Sequence, residues 1–538
     1  MKNGIFTYVV GNIDLPVHAS FSEAFSVAAA RLSKAGISYR KDSLSVYRRS
    51  IDARRRSDIR FVYSIAALSD TIVTDSQKLI KHGVTLVQYT EPCPVFGDKR
   101  PCAPIVVVGS GPAGLFATLM MAEAGFPVIM LERGGSVAER TDKVARFVKE
   151  RSLDVNTNIQ FGAGGAGTFS DGKLVTRIND SMSSYVLHRL VEFGAPDEIL
   201  YLAKPHVGTD ILSRVVDNVL ARIEMLGGRV LFHTQMLDFA SKNGVVSSVK
   251  TNRGDIECSA LLLAIGHSAR DTYAKVLEHG MTVEAKDFSV GLRIEHKRET
   301  IDRGLYGDLA GDPALPVGEY NLSYNTKERG VYTFCMCPGG EVVAATSEEG
   351  GVVVNGMSYH SRSGDNSNSA VCCSVFKSDY GATPAEAIEF QRKIERAAFL
   401  AGGSDYSAPI ITVGDFLDGK CSAVPSTVSP TYMSGIGVKL ASPDEFLPSF
   451  VASSIRAAIR DFDKKLPGFA SAEAVLTGPE TRTSAPVRIK RDPVSRLAIG
   501  YENLYPSGEG AGYAGGITSA AIDGIKCALA LMSHYKPD

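Results

Sequence analysis

The chain has 538 residues, too long for a single hydrophobic core, and predicts about two to four domains. With 44% hydrophobic and 22% charged residues it is neither a fibre nor a disordered tail, and a net charge of −1 gives no general attraction to nucleic acid or an anionic membrane. Nine cysteines without a CxxC pair exclude a thioredoxin-type motif, argue against a disulfide framework and predict reduced thiols.

The start, MKNGIFTYVVGNIDLP, carries no uninterrupted apolar core of signal-peptide length, so a cytoplasmic location is expected. Residues 1–90 alternate strand-like runs (GIFTYVVGNI, DIRFVYSIAAL) with a helical pattern, FSEAFSVAAARLSKAGI, that stops at Gly36. They predict a small α+β domain, with a ferredoxin-like arrangement as one candidate. The run RRSIDARRRSDIR is the strongest basic cluster, but Asp52 and Asp58 interrupt it, which points to a solvated face rather than a polyanion site. A proline-rich stretch over 91–103 reads as a linker.

The spacing GxGxxG occurs three times, at Gly109, Gly111 and Gly114, at Gly162, Gly164 and Gly167, and at Gly510, Gly512 and Gly515. Spacing alone is weak in a chain with 52 glycines, so the flanks decide. Only the first match follows a β-branched strand (PIVVVG), opens a helix at Pro112 and Ala113 that ends at Gly125, and is followed by a second strand, FPVIMLER, carrying Glu132 and Arg133. There Gly109 makes the tight turn, Gly111 lets the backbone approach a pyrophosphate, and Gly114 lets the helix pack on the strand, while Glu132 accepts from ribose hydroxyls. The second match follows a polar stretch, LDVNTNIQ, and has no acidic residue at the right distance, so it is a glycine-rich loop and not a second dinucleotide fold.

Downstream come a loop-rich segment over 150–208, the helix TDILSRVVDNVLARIEMLGG, the strand RVLFH, a meander, and CSALLLAIGHSAR, a strand ending in a turn at Gly266. This completes the first part of the nucleotide domain, 104–284. Residues 285–476 hold many strand-like runs without a nucleotide pattern and predict an inserted α+β cap or substrate domain; 477–538 return to the nucleotide fold with a strand, a glycine turn and a long apolar helix. No His, Cys, Asp or Glu cluster has metal-ligand spacing. Cys335 and Cys337 lie about 6.5–7 Å apart on a regular strand, at the limit of disulfide geometry, and are expected to be buried structural thiols. His206 and His267 sit in loops beside motifs and are candidates to exchange a proton with a substrate. Arg482, with Thr483 and Ser484, offers a fork for a carboxylate or a flavin edge.

Seventeen residues separate Gly114 from Glu132, a spacing similar to that in the FAD domain of glutathione-reductase-related flavoproteins. The stretches FGAGGAGTFSDGKL, KPHVGTD, AIGHSARDT, TFCMCPGG, NGMS, RTSAPVRI and YPSGEGAGYAGGITSAAIDGI together resemble a bacterial family of uncharacterised FAD-dependent dehydrogenases, from about residue 40 onward. The resemblance implies FAD, a Rossmann-type α/β domain in a three-part architecture, and no particular substrate. It implies a cofactor role for Gly266, after Ile265 where relatives carry Thr, and for Gly508 and Glu509, the latter standing where many relatives place an Asp on the ribitol. On this reading the loop with Gly162, Gly164, Gly165 and Gly167 runs along the isoalloxazine with Thr168, Ser170 and Lys173 near the reacting edge, and Gly515, Gly516 and Ile517 face its pyrimidine end.

The expected function is an FAD-dependent oxidoreductase, a dehydrogenase or reductase passing a hydride between flavin N5 and an unidentified small organic substrate. With a single fingerprint, NAD(P)H would serve only as a transient donor. A flavin monooxygenase, an RNA-modifying flavoenzyme and a flavin-bound sensor or scaffold without turnover are the alternatives. A small-molecule partner is expected, with no nucleic acid and no membrane; the oligomeric state is left open.

Overall fold

The computed structural model describes residues 5–73, 75–176, 178, 180–432 and 436–537. In the N-terminal unit the helix Phe21–Ala35 turns Ala24, Ala28, Leu32 and Ala35 inward, opens on a Ser20/Glu23 capping box and ends where Gly36 takes φ 74°. It packs on a four-stranded antiparallel sheet ordered Ser45–Asp52, Arg60–Ser69, Phe6–Pro16, Val84–Val87. In the basic run, Arg54 pairs with Asp52 (2.5 Å) and Arg60 with Asp58 (2.9 Å) on an exposed face.

The second unit is built on a five-stranded parallel sheet ordered Leu504–Pro506, Ala260–Leu263, Ile105–Val108, Val128–Leu131, Arg229–Leu231. Every residue of Ile105–Val108, Val128–Leu131 and Ala260–Leu263 is buried, as β-branched and leucine runs covered on both faces must be. The helix Pro112–Glu123 is buried from Ala113 to Ala122 and lies against Ile517–Met532. Their approach depends on Gly524, where a Cβ would stand 2.1 Å from the Ala113 carbonyl oxygen.

The third unit is a seven-stranded sheet whose centre is Asn366–Val375, Phe288–Lys297 and Val475–Glu480, flanked by the helices Pro384–Ala401 and Ser449–Lys465. The chain enters and leaves it side by side, since Val283–Ala285 pairs antiparallel with Val487–Ile489. The strand Val475–Glu480 runs across position 476 and belongs to this sheet throughout, so the chain leaves it after Glu480. Among the described residues no helix is long and apolar enough to cross a membrane, and no group of three His, Cys, Asp or Glu is placed to hold a metal ion.

Candidate functional site

The C-terminal ends of four parallel strands open on a cavity of about 310 Å³, walled by Val108, Leu131, Ala264 and Ser507 and their neighbours and closed on the far side by the third unit. Ligands in open α/β sheets bind in this position, outside the carboxyl ends of the strands. At Gly109, with φ 101°, a Cβ would lie 2.3 Å from the Ala264 carbonyl oxygen, and at Gly114 it would lie 1.8 Å from the Gly109 carbonyl oxygen. Both glycines are therefore demanded by the protein itself. Gly111 differs: the nearest atom to its Cβ position is Gly165 Cα at 3.9 Å, and the residue lines the cavity with Pro112 and Ala113. That leaves backbone amides bare at a helix N-terminus, a cradle suited to a diphosphate.

Glu132 and Arg133 both line the cavity. The Glu132 carboxylate accepts from Ser110 N (3.1 Å) and Oγ (2.6 Å) with one oxygen, and from Gly134 N and Gly162 N (2.9 Å each) with the other. It thereby ties the fingerprint turn to the second glycine loop. That loop wraps the fully buried Arg140, whose guanidinium donates to the carbonyls of Asn158 (3.1 Å), Ile159 (2.9 Å), Gly165 (3.0 Å) and Ala163. Sequence reading missed Arg140, whose only signal is a cation at a buried position of an amphipathic helix.

The glycines of this loop divide into two groups. Gly165 and Gly167 line the cavity, as do Ser170 and Lys173. Gly162, Gly164 and Thr168 do not, which corrects the expectation that all of them follow the ring. A Cβ at Gly162 would meet Arg140 Cδ at 2.1 Å and one at Gly164 would meet Thr168 Oγ1 at 2.1 Å, while Thr168 donates to the Ala163 carbonyl (3.1 Å) inside the loop. Gly508 is likewise set back from the cavity, with φ 74° and its amide on Asp523 (2.8 Å). Glu509, Gly266, Gly515, Gly516 and Ile517 line the cavity, and a Cβ at Gly266, Gly515 or Gly516 would meet nothing within 4 Å.

Among the expected proton-transfer residues, His267 faces the cavity and shares a 2.9 Å hydrogen bond with Ser268 through Nδ1. Burial, with Arg482 and Arg270 beside it, pushes its pKa down to about 3, so the ring is neutral at physiological pH. Lys173 lines the wall with Nζ held by Asp171 (3.0 Å) and by the Met336 carbonyl. His206 is outside the wall: Nε2 donates to the His360 carbonyl (3.1 Å) and the ring stacks on His360, while its backbone bridges to Lys173. It positions that loop and does not meet a ligand there. Arg482 reaches the wall, but its fork is already engaged by Glu395 (3.0 and 3.2 Å), Ser268 (3.0 Å) and Ser347, so it braces the site and is not free for a carboxylate.

The third unit contributes Phe334, Cys335, Asn355, Glu480 and Thr483 to the same wall. Cys335 is partly exposed, not buried as expected, because its strand is irregular there. Burial raises the Glu509 pKa to about 7, against the pull of Lys286. An acid whose folded pKa exceeds its unfolded value adds stability that is complete below the unfolded pKa and lost as pH rises through the folded one. Glu509→Gln apoprotein should therefore gain urea resistance over wild type at pH 8 and lose that advantage at pH 5. Equal midpoint differences at the two pH values would contradict the burial of this carboxyl.

Two family descriptions match the chain: an FAD binding domain over residues 104–143 and a "FAD-dependent protein, C-terminal domain-like" region over 287–483. An uncharacterized protein of Clostridium beijerinckii is 45% identical over 496 residues, covering 91% of this chain and 92% of that one. The chain belongs to this family of FAD-dependent proteins. FAD is its cofactor, and the glycine cradle with its bare amides fits a dinucleotide, while Glu132, expected to accept from the ribose, spends its acceptor sites on four protein donors and holds the turn beneath the cradle. Similar solved structures include CtdE in complex with FAD (13% identity, TM-score 0.32, covering 79% of this chain and 82% of that one). L-amino acid deaminase from Proteus vulgaris is another (14%, TM-score 0.33, covering 84% and 97%). A geranylgeranyl bacteriochlorophyll reductase-like protein from Thermoplasma acidophilum is a third (12%, TM-score 0.34, covering 81% and 80%). Likenesses of this size decide nothing about the reaction.

Proposed function

We propose that the protein is an FAD-dependent oxidoreductase of the dehydrogenase or reductase class, acting in the cytoplasm on a small organic substrate admitted between the parallel-sheet unit and the seven-stranded unit. The first of these is read as a Rossmann-type FAD domain of the glutathione-reductase kind, the second as its inserted cap, and the N-terminal unit as ferredoxin-like. The observation that carries the reading is the continuity of one cavity from the Gly111 cradle to a wall with ionisable and polar side chains from both units: Lys173, His267, Asn355 and Glu480.

Bound FAD supplies two-electron chemistry at its isoalloxazine, and the protein supplies binding, orientation and proton handling. Gly111 and the amides of the helix Pro112–Glu123 would receive the diphosphate, and Glu132, tied to Ser110, Gly134 and Gly162, holds the fingerprint turn in shape for it. On the substrate side, Nδ1 of neutral His267 is engaged by Ser268, which leaves Nε2 to hydrogen-bond and orient a substrate, while the neighbouring arginines and burial keep the ring from carrying a proton at physiological pH. The Lys173 ammonium offers a fixed positive charge, held in place by Asp171. NAD(P)H, if it is the donor, visits this cavity without a domain of its own.

The test is anaerobic mixing of the purified yellow protein with NADH, NADPH and panels of hydroxy and amino acids, followed by bleaching of the visible flavin band. His267→Ala should keep full FAD content and bleach up to about 10-fold more slowly with the productive donor at limiting concentration, the effect of one lost hydrogen bond to the substrate. A yellow protein that no donor bleaches, or a variant that bleaches at the wild-type rate, would refute the corresponding part of the proposal.

A further inference from the structure

The strand Gly330–Cys337 pairs regularly with Asn366–Val375 as far as Phe334, opposite Ala370, and resumes at Cys337, opposite Asn368. Cys335 and Met336 thus stand together against Ser369, a bulge in which Cys335 takes φ 44°. A non-glycine residue held there costs free energy, and such strain persists where the surroundings over-determine it. Two cations do so here. Arg293, fully buried, donates to the Cys335 carbonyl (2.8 Å) and is itself fixed by Glu480 (3.0 Å), Asn355 (2.7 Å) and Asn368 (3.0 Å). Lys173 donates to the next carbonyl, that of Met336.

The bulge removes the alternation that would hold the two thiols on a regular strand at the limit of bonding distance. The Cys337 thiol donates to the Cys335 carbonyl oxygen (3.3 Å), and its Sγ lies 3.9 Å from Arg293 Nη1, so the second thiol is folded back onto the residue that carries the first. Cys335 opens on the cavity, whereas Cys337 is buried behind it.

We propose that Cys335 and Cys337 form a reversible dithiol–disulfide couple that exchanges an electron pair with the flavin in the adjoining cavity. The thiolate of Cys335 and the thiol of Cys337 join in one S–S bond as the Cys337 S–H bond breaks. The pair passes two electrons and the Cys337 proton to an oxidised isoalloxazine, and the reverse transfer restores thiolate and thiol, so that charge and protons balance without a further reactant.

The electrostatics fit this division of roles. Cys337 beside it, with Arg293 and Lys173 nearby, draws the Cys335 thiol down to about 5 against its partial desolvation, and the adjoining Cys335 together with burial holds Cys337 well above the usual thiol range. Cys335 is the thiolate at the cavity and Cys337 the proton-bearing partner. The couple gives the cap a chemical part in the reaction, as a store for one electron pair between donor and substrate.

The proposal rests on FAD occupying the cavity and on no particular substrate. Holoprotein is oxidised with diamide, quenched in acid and digested, and the peptide over residues 330–362 is weighed with and without iodoacetamide. It should lose two hydrogens and resist alkylation at Cys335 and Cys337, and recover both thiols after dithiothreitol. In anaerobic dithionite titration the wild type should take up twice as many reducing equivalents per flavin as Cys335→Ser or Cys337→Ala. A yellow protein whose two thiols stay alkylatable after diamide, or whose uptake equals that of the variants, overturns the couple and leaves the flavin reading intact. A colourless protein in which the S–S bond still forms overturns both the electron exchange and the flavin reading.

Discussion

Gly111→Val should purify colourless while keeping its fold. Gly111 is the N-cap of the helix Pro112–Glu123 with φ −68° and ψ 178°, a backbone conformation open to any residue. Its Cβ position meets no atom of the protein closer than 3.9 Å, so the added side chain grows into the cavity where the diphosphate must approach the backbone. Unfolding free energies of the wild-type and variant apoproteins from urea titration should agree to within about 0.5 kcal/mol, as for a change away from packed features. Flavin released by heat should fall to background. Gly114→Ala makes the contrast, because its Cβ would stand 1.8 Å from the Gly109 carbonyl oxygen and the helix must shift before any ligand is considered. Full flavin content in Gly111→Val would refute the cradle.

The parts of the site readable from sequence are those fixed by neighbours in the chain. The strand, turn and helix around Gly109 and the stop at Gly36 depend on contacts within a few residues, and there pattern and structure coincide. Long-range pairing defeats the same reasoning. Nothing local says that Val475–Glu480 pairs with Phe288–Lys297, so a boundary placed at 476 cuts a strand of the third unit. Arg482 reads as a free fork because its partner, Glu395, lies 87 residues upstream. Which glycines of the second loop face the cavity is decided by Arg140, on a helix that sequence periodicity assigns only an amphipathic role. Cys335 was hidden by the assumption of regular alternation, which a one-residue bulge defeats.

Glu395 is the joint between the third unit and the FAD fold, and removing it should be the most destabilising single change near the site. It projects from the helix Pro384–Ala401 and is 1% exposed. Its carboxylate accepts from Arg270 (2.7 and 2.8 Å), Arg482 (3.0 and 3.2 Å) and Thr481 (2.7 Å). Glu395→Ala leaves two buried guanidiniums with only Glu348 as a carboxylate partner, and breaking a buried pair from one side costs about 3–5 kcal/mol. Burial alone would raise the Glu395 pKa, but the charges of Arg270 and Arg482 overcome it and hold the carboxyl below the ordinary carboxylate range. For an acid whose folded pKa is depressed, the stability it contributes is complete above its unfolded pKa and is lost as pH falls through the folded value. Wild type should therefore lose urea resistance as pH drops below about 4.5, its unfolded pKa, while Glu395→Gln, which cannot ionise, starts lower at pH 7 and shows a shallower acid slope. Because Arg482 and Ser268 also wall the cavity, the glutamine variant should release FAD more readily at pH 7. A variant with wild-type midpoints at both pH values would mean that Glu348 alone compensates the two arginines, and that the junction does not depend on Glu395.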